Sequence, residues 1–282
     1  MPVYIFKRRM VNGACLSMFI NGWIFVVQVY YIPTFYQIAY GYSAVRAGAL
    51  LLPLVLVQTL SSTLSGLIVT WRGRYRESIL AGWLLWAAGL GLFSTLDETS
   101  GLEKQIGYAI LMGFGVGQTL QPSLVAIQAG VPRRDMAVVT GTRNFVRNLG
   151  GTVGLAVAGT IINNTLRISL GRLSSDNELI RQILEEPSTT LDGSRGDEAF
   201  QAAVLAGYRQ GFRIIFLVAA SLAAFAFVVV LFLMPELGLD RSNDQELKEE
   251  AKRRIQGEKE TKAARKRKDD TELASPGNQT EG

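Results

Sequence analysis

Six stretches of this sequence are long and apolar enough to cross a lipid bilayer: residues 11–32, 47–69, 79–96, 106–128, 136–162 and 212–234. A spanning helix needs about 20 mostly apolar residues, because the hydrocarbon core is about 30 Å thick and a helix rises about 1.5 Å per residue. The expected fold is therefore an all-α integral membrane protein, a bundle of six transmembrane helices. Composition agrees, with 48% hydrophobic residues and no histidine. The first run follows Lys7, Arg8 and Arg9, is too long for a signal peptide and lacks a small-residue cleavage site, so it reads as a retained span.

Charge sets the expected orientation. Taken alternately, the loops on one side carry Lys7, Arg8 and Arg9, then Arg72, Arg74 and Arg76, then Arg133 and Arg134, then the tail; the other side holds residues 41–46, 97–104 and 163–211. Lys and Arg concentrate in cytoplasmic loops, which puts both termini in the cytoplasm. Residues 1–10 are then a cytoplasmic lead-in and 11–234 the bundle. Residues 163–211 are expected to form a mobile external loop, with short surface helices over 177–186 and 198–208. Residues 235–282 lose their apolar residues and mix charges of both signs, a composition expected to leave the tail disordered. Its cluster Arg265, Lys266, Arg267 and Lys268 reads as a solvated charge run or a contact for anionic lipid.

Several functions are excluded by what the residues lack. Without histidine there is no imidazole for a zinc site of the usual kind or a catalytic triad. The six runs have no Asp or Glu in their interiors, which removes the carboxylate pairs of intramembrane hydrolysis. The expectation is no catalytic residues, no metal and no enzyme. The net charge of +5 is spread between hydrophobic runs and the tail rather than along one stripe, so nucleic acid is not an expected partner. Cys15 has no second cysteine and reads as a small packing residue.

The runs do carry neutral polar side chains at helical spacing. Asn21, Phe25, Gln28 and Tyr31 share one face of the first; Gln58, Ser61, Ser62 and Ser65 share one of the second; Phe114, Gln118, Gln121, Val125 and Gln128 share one of the fourth. Amides facing lipid forfeit their hydrogen bonds, so these faces turn toward other helices or a water-filled cavity, and both destinations stay open. Small residues recur every four positions at Gly113 and Gly117 and at Gly150, Gly154 and Ala158, allowing close packing or smooth sliding of helices. Arg143 and Arg147 lie one turn apart near the start of the fifth run. Arg143 is placed to snorkel to the interface, whereas Arg147 is deeper, beside Asn144 and Asn148, and suits an anionic substrate group or a carboxylate of a partner bundle.

Three stretches carry a resemblance. Residues 30–37 (YYIPTFYQ), 43–48 (SAVRAG) and 143–151 (RNFVRNLGG) resemble the C-terminal half of a major facilitator superfamily transporter, in the fungal fourteen-helix drug:proton antiporter branch that exports drugs and toxins. The long loop before the last run also fits that branch. Residues 66–76 resemble the family's basic loop motif, with Thr70 in the place of its acidic residue and Gly73 and Arg74 matching as turn and charge. The resemblance implies efflux by alternating access, driven by a proton gradient with no bound cofactor. The lipid bilayer and a lipophilic small molecule would be its partners, in the plasma or vacuolar membrane. It implies a missing N-terminal half or a second copy, because such transporters enclose their substrate between two bundles. It also implies that the first, second, fourth and fifth spans line that cavity. Asn21, Gln28, Tyr31, Gln58, Gln118, Gln121 and Arg147 are the cavity candidates; Gly73, Arg74, Gly113, Gly117, Gly150 and Gly154 are the gating or packing candidates. The competing expectations are a membrane remnant or scaffold that does not transport, and an importer of an iron chelate or sugar on the same fold.

Overall fold

A computed structural model describes residues 6, 9–97, 99–129, 131, 135–171 and 198–234. Among them are six helices: α1 (Arg9–Tyr40), α2 (Ala44–Arg72), α3 (Arg76–Phe93), α4 (Leu102–Ala129), α5 (Met136–Leu170) and α6 (Glu198–Leu233). Five of these, all but α3, are long and apolar enough to cross a membrane. α3 has only 18 residues and spends its first two on Arg76 and Glu77, yet it is packed into the same bundle against α4 and α6.

Local chemistry sets several helix ends. Gly41, at φ 64°, reverses the chain after α1, and the Ser43 side chain then accepts from Arg46 N at 3.3 Å to cap α2. α2 stops at Gly73, whose φ of 71° is the left-handed conformation that glycine adopts without strain, and Gly73 N donates to Val69 O at 2.9 Å. Arg74 then pairs with Glu77 at 3.1 Å on the surface, at the start of α3.

The helices run farther than their apolar cores. α1 continues through Pro33 to Tyr40, where the sequence reading ended a span at 32. Proline removes one N–H from the ladder, but Thr34 Oγ1 donates to Tyr30 O and Gln37 Nε2 to Pro33 O nearby, and buried rings hold the last turns. α5 runs on to Leu170 and α6 already starts at Glu198, so the segment expected to be an external loop is helical at 163–170 and 198–211. The expected surface helix over 198–208 is thus the first part of α6. Hydropathy marks only the lipid-embedded part of a helix, which is why these polar extensions escaped it. The expectations for 177–186, for the tail 235–282 and for Lys7, Arg8, Arg133 and Arg134 lie outside the described residues.

Consecutive helices alternate in direction. At one end of the bundle Arg76 Nη2 donates to Leu231 O, and Gly13 meets Leu233 and Met234, bringing together the starts of α1 and α3 and the end of α6. At the other end Tyr40 donates to Asp97 O. The packing has the logic of two three-helix repeats that exchange their middle helices: α2 lies on α4 and α5 on α1, while α3 also packs on α4 and α6 on α1. Glycine permits both exchanges. A Cβ on Gly113 would overlap the Leu54 carbonyl and one on Gly117 would lie 2.6 Å from Gln58 O, fixing α2 against α4. A Cβ on Gly150 would overlap the Phe19 carbonyl and one on Gly154 would come within 2.8 Å of the Trp23 ring, fixing α5 against α1.

Candidate functional site

The six helices are unequally covered. In their most apolar stretches, 67% of α1 and 61% of α4 is buried, against 22% of α2 and 28% of α5. The two sparsely covered helices flank the two well-covered ones, because α2 leans on α4 and α5 on α1. Part of that free surface is purely apolar, as with Leu56, Leu60, Leu64 and Leu67 of α2. Part is polar: Asn144, Asn148, Thr152, Thr160, Asn163, Asn164 and Arg167 of α5 are all exposed. This α5 row repeats at four-residue spacing from Asn144 to Thr152, the same signal that exposed the stripes in the other spans, and it was hidden by the stronger glycine pattern beside it.

The polar side chains expected to share a cavity separate into two groups. The first ties helices together. Gln28 is fully buried; its Oε1 accepts from Trp86 Nε1 at 2.7 Å, and its Nε2 meets Met112 Sδ at 3.5 Å. Gln118 is buried too, accepting from the Ser78 hydroxyl and donating to Ser61 Oγ at 3.0 Å, so one amide joins α2, α3 and α4. Both amides have their polar atoms occupied within the bundle. That arrangement is what a neutral amide needs in a low-dielectric interior.

The second group is nearer the free surface. Gln121 is exposed and folds over Gly66, bordering a cleft of about 360 Å³ with Ser62, Thr63, Leu67, Thr70 and Val125. Gln58 is part-buried, and its Oε1 is a buried acceptor with no partner among the described residues. Tyr31 is part-buried, edge-on to Phe212 at 6.3 Å, with its hydroxyl beside Gly159 of α5.

The two arginines reverse the expected cover: the one expected to snorkel is the more buried. Arg143 is only 6% exposed. Its Nη2 donates to Leu120 O at 2.8 Å and to Ser123 Oγ at 2.9 Å, and its Nη1 to Asn144 Oδ1 at 3.2 Å, so it is built into the α4–α5 contact rather than snorkelling. Arg147 is part-buried at the junction of α1, α4 and α5. Its Nε donates to Asn21 Oδ1 at 2.8 Å; Asn21 Nδ2 in turn donates to Thr119 Oγ1 at 3.0 Å, and Thr119 to Val116 O at 2.8 Å. Asn21 and Thr119 are fully buried, and the guanidinium carbon lies 5.0 Å from the centroid of the Phe25 ring. Thr119 belongs to none of the stripes read from sequence, and no spacing rule would have singled out one threonine.

Gly73 and Arg74 sit at the α2–α3 turn, remote from this cluster in sequence and occupied with the helix cap and the Glu77 pair. Thr70 Oγ1 donates to Gly66 O at 2.8 Å, closing the hydroxyl back on its own helix. No group of three or more His, Cys, Asp or Glu side chains able to hold a metal occurs among the described residues.

Residues 2–155 match the family model described as Major Facilitator Superfamily. Among curated proteins, Citrate exporter 1 of Yarrowia lipolytica is 30% identical over 82% of this chain and 34% of its own length. The MFS-type efflux pump LUC4 of a Fusarium species is 26% identical over 85% of this chain and 43% of its own. The MFS-type transporter ppz2 of Metarhizium majus is 33% identical over 59% of this chain and 29% of its own. The chain thus spans from 29% to 43% of the length of these relatives. All three are fungal transporters or efflux pumps, and none is an enzyme.

Proposed function

The chain belongs to the major facilitator superfamily, and on that premise we propose that its bundle is one half of a secondary transporter that exports small molecules by alternating access. The observation that carries this reading is the uneven cover of the helices. α2 and α5 keep most of their surface free on either side of α1 and α4, and that surface mixes leucines with amides and hydroxyls. Leucines alone would suit lipid. Thr152 and Thr160 close their hydroxyls on their own helix, but the exposed amides of Asn144, Asn148, Asn163 and Asn164 would forfeit hydrogen bonds there, and are instead suited to a second bundle and the water between the two. The second bundle is the remainder of a longer gene product or another copy of this chain.

Efflux is supported by the names of the relatives, and the plasma or vacuolar membrane is its setting in this reading. The arginines at the α2–α3 turn support a cytoplasmic location for that end, and with it for the start of α1 and the end of α6. Proton coupling is the proposed energy source. Acids within the described helices are confined to the first turns, at Glu77, Glu103 and Glu198. A coupling carboxylate would therefore come from the second bundle.

The test is transport by the full chain, alone and together with the N-terminal half of a fungal relative, in vesicles with an imposed proton gradient. A panel of cationic, neutral and anionic fluorescent dyes serves as cargo. Gradient-driven movement of any of them supports the proposal. No movement under either condition favours a bundle that folds without transporting.

A further inference from the structure

Building on that reading, we infer that Arg147 is an anion-binding residue on the free face, and that the cargo of this half is a molecule bearing a carboxylate or a similar anionic group. Asn21 and Thr119 act as positioning residues beneath it.

Charge makes the first case. Arg143 and Arg147 are cations seven and 11 residues into α5, and α5 carries no Asp or Glu to accompany them. Arg147 lies 11 residues into α5, about 16 Å along a helix that is long and apolar enough to cross a membrane. An uncompensated cation at that depth is costly to hold, and in membrane proteins such residues mark ligand or ion paths.

Geometry separates the two cations. Arg143 has committed Nη1 and Nη2 to Leu120 O, Ser123 Oγ and Asn144 Oδ1, and is buried. Arg147 has committed only Nε, to Asn21. Its two Nη groups have no acceptor among the described residues, and they sit on a part-buried side chain at the edge of the free face. These two groups form the planar fork that matches the two oxygens of a carboxylate or phosphate. The neighbouring α5 side chains favour the same ligand. Asn144 has given its oxygen to Arg143, which leaves its exposed amide nitrogen as a donor, and Asn148 is exposed one residue beyond Arg147.

The fork is also held in advance. Gly22 and Gly150 bring α1 and α5 together at this level: a Cβ on Gly22 would overlap the Arg147 carbonyl. The base of the side chain is thereby fixed, its Nε is tied to Asn21, Asn21 is tied to Thr119, and Phe25 lies against the guanidinium. Ordering so much of a long side chain before the ligand arrives removes most of the entropy loss that binding would otherwise incur.

Binding is measured without transport, so that failure of this inference and failure of the transport reading stay distinct. The full chain is placed in discs of uncharged phosphatidylcholine, and a fluorescent anthracene carboxylate and its methyl ester are titrated by anisotropy. Acid is expected to bind at least about tenfold tighter than ester, the size of one charge-assisted pair, with the ratio falling as salt rises. Arg147→Gln should reduce the ratio to near one and Arg147→Lys should retain part of it. If Arg147→Gln does not fold, Asn21→Asp serves in its place: it keeps the shape while putting a carboxylate on Nε, and should also abolish the preference for acid. Equal binding of acid and ester by the wild-type chain overturns the inference. So does an acid preference that survives both Arg147→Gln and Asn21→Asp, or one that vanishes when the second bundle is added, which would mean that a partner carboxylate takes the fork. Any of these leaves gradient-driven transport of neutral dyes free to succeed or fail by itself.

Discussion

Replacing Gln28 with Leu separates a tie between helices from a cargo contact. In the bundle Gln28 accepts from Trp86 Nε1 at 2.7 Å with both residues fully buried. Leucine fits an apolar site but leaves the indole N–H without an acceptor. In soluble proteins an orphaned buried donor costs about 1–3 kcal/mol, while interhelical hydrogen bonds in membranes average about 0.6 kcal/mol and reach about 1.7. The 3.5 Å contact of the amide nitrogen with Met112 Sδ adds little, because a thioether is a weak acceptor. Gln28→Leu should therefore destabilise the bundle by about 1–2 kcal/mol. In a Trp86→Phe background the donor is gone, and the same change should cost close to nothing. The coupling from this double-mutant cycle should be about 1 kcal/mol. Unfolding in mixed micelles, titrated with dodecyl sulfate and followed by helical circular dichroism, gives the four free energies. A coupling below about 0.3 kcal/mol would refute the tie. So would a Gln28→Leu protein of full stability whose choice among transported dyes has changed.

Other outcomes follow from the same geometry. Gly150→Val should destabilise by about 1–3 kcal/mol because its Cβ meets the Phe19 backbone, whereas Gly48→Ala, with nothing within 4 Å, should be neutral or slightly stabilising; thermal unfolding in detergent compares them. Gly73→Ala forces a Cβ into the left-handed cap at φ 71° and should lower stability by about 1 kcal/mol, read in the same assay. Arg74→Ala removes an ion pair whose partners are each about 60% exposed, so less than about 1 kcal/mol should be lost. Gln121→Leu, on the rim of the α2–α4 cleft, should shift relative transport rates among dyes while leaving the unfolding midpoint unchanged.

Five of the six stretches read as spans fall in described helices that are long and apolar enough to cross a membrane, because lipid enforces length and apolarity together; the stretch over α3 forms a helix that falls short of that test. Helix ends were not legible in the sequence, since the parts of α1, α5 and α6 that project from the bilayer are polar and look like loop; Pro33 reinforced that impression in α1. Small-residue spacing marked Gly113, Gly117, Gly150 and Gly154, and each lies where an added Cβ would meet the neighbouring helix. Periodicity placed Gln28 and Gln118 on inward faces but could not say whether an inward amide meets a neighbouring helix or water. That depends on side chains arriving from elsewhere: Trp86 for one, Ser61 and Ser78 for the other. The relative cover of Arg143 and Arg147 was lost for a similar reason. Depth along a helix can be counted, but cover is decided by α4, whose Leu120 carbonyl and Ser123 hydroxyl receive Arg143.

Cysteine accessibility tests most directly the claim that the surface shared by α2 and α5 faces water and a second bundle rather than lipid. Single cysteines in a Cys15→Ala background would be placed at Thr63, Asn148 and Thr152, and for comparison at Leu84, Phe225 and Phe232, all of which are exposed in the isolated bundle. In vesicles carrying the chain and its complementary half, a membrane-impermeant maleimide should label the first set and spare the second, whereas a lipid-soluble reagent should do the reverse. Labelling of Phe225 and Phe232 by the impermeant reagent, with Asn148 and Thr152 protected from it, would contradict the account.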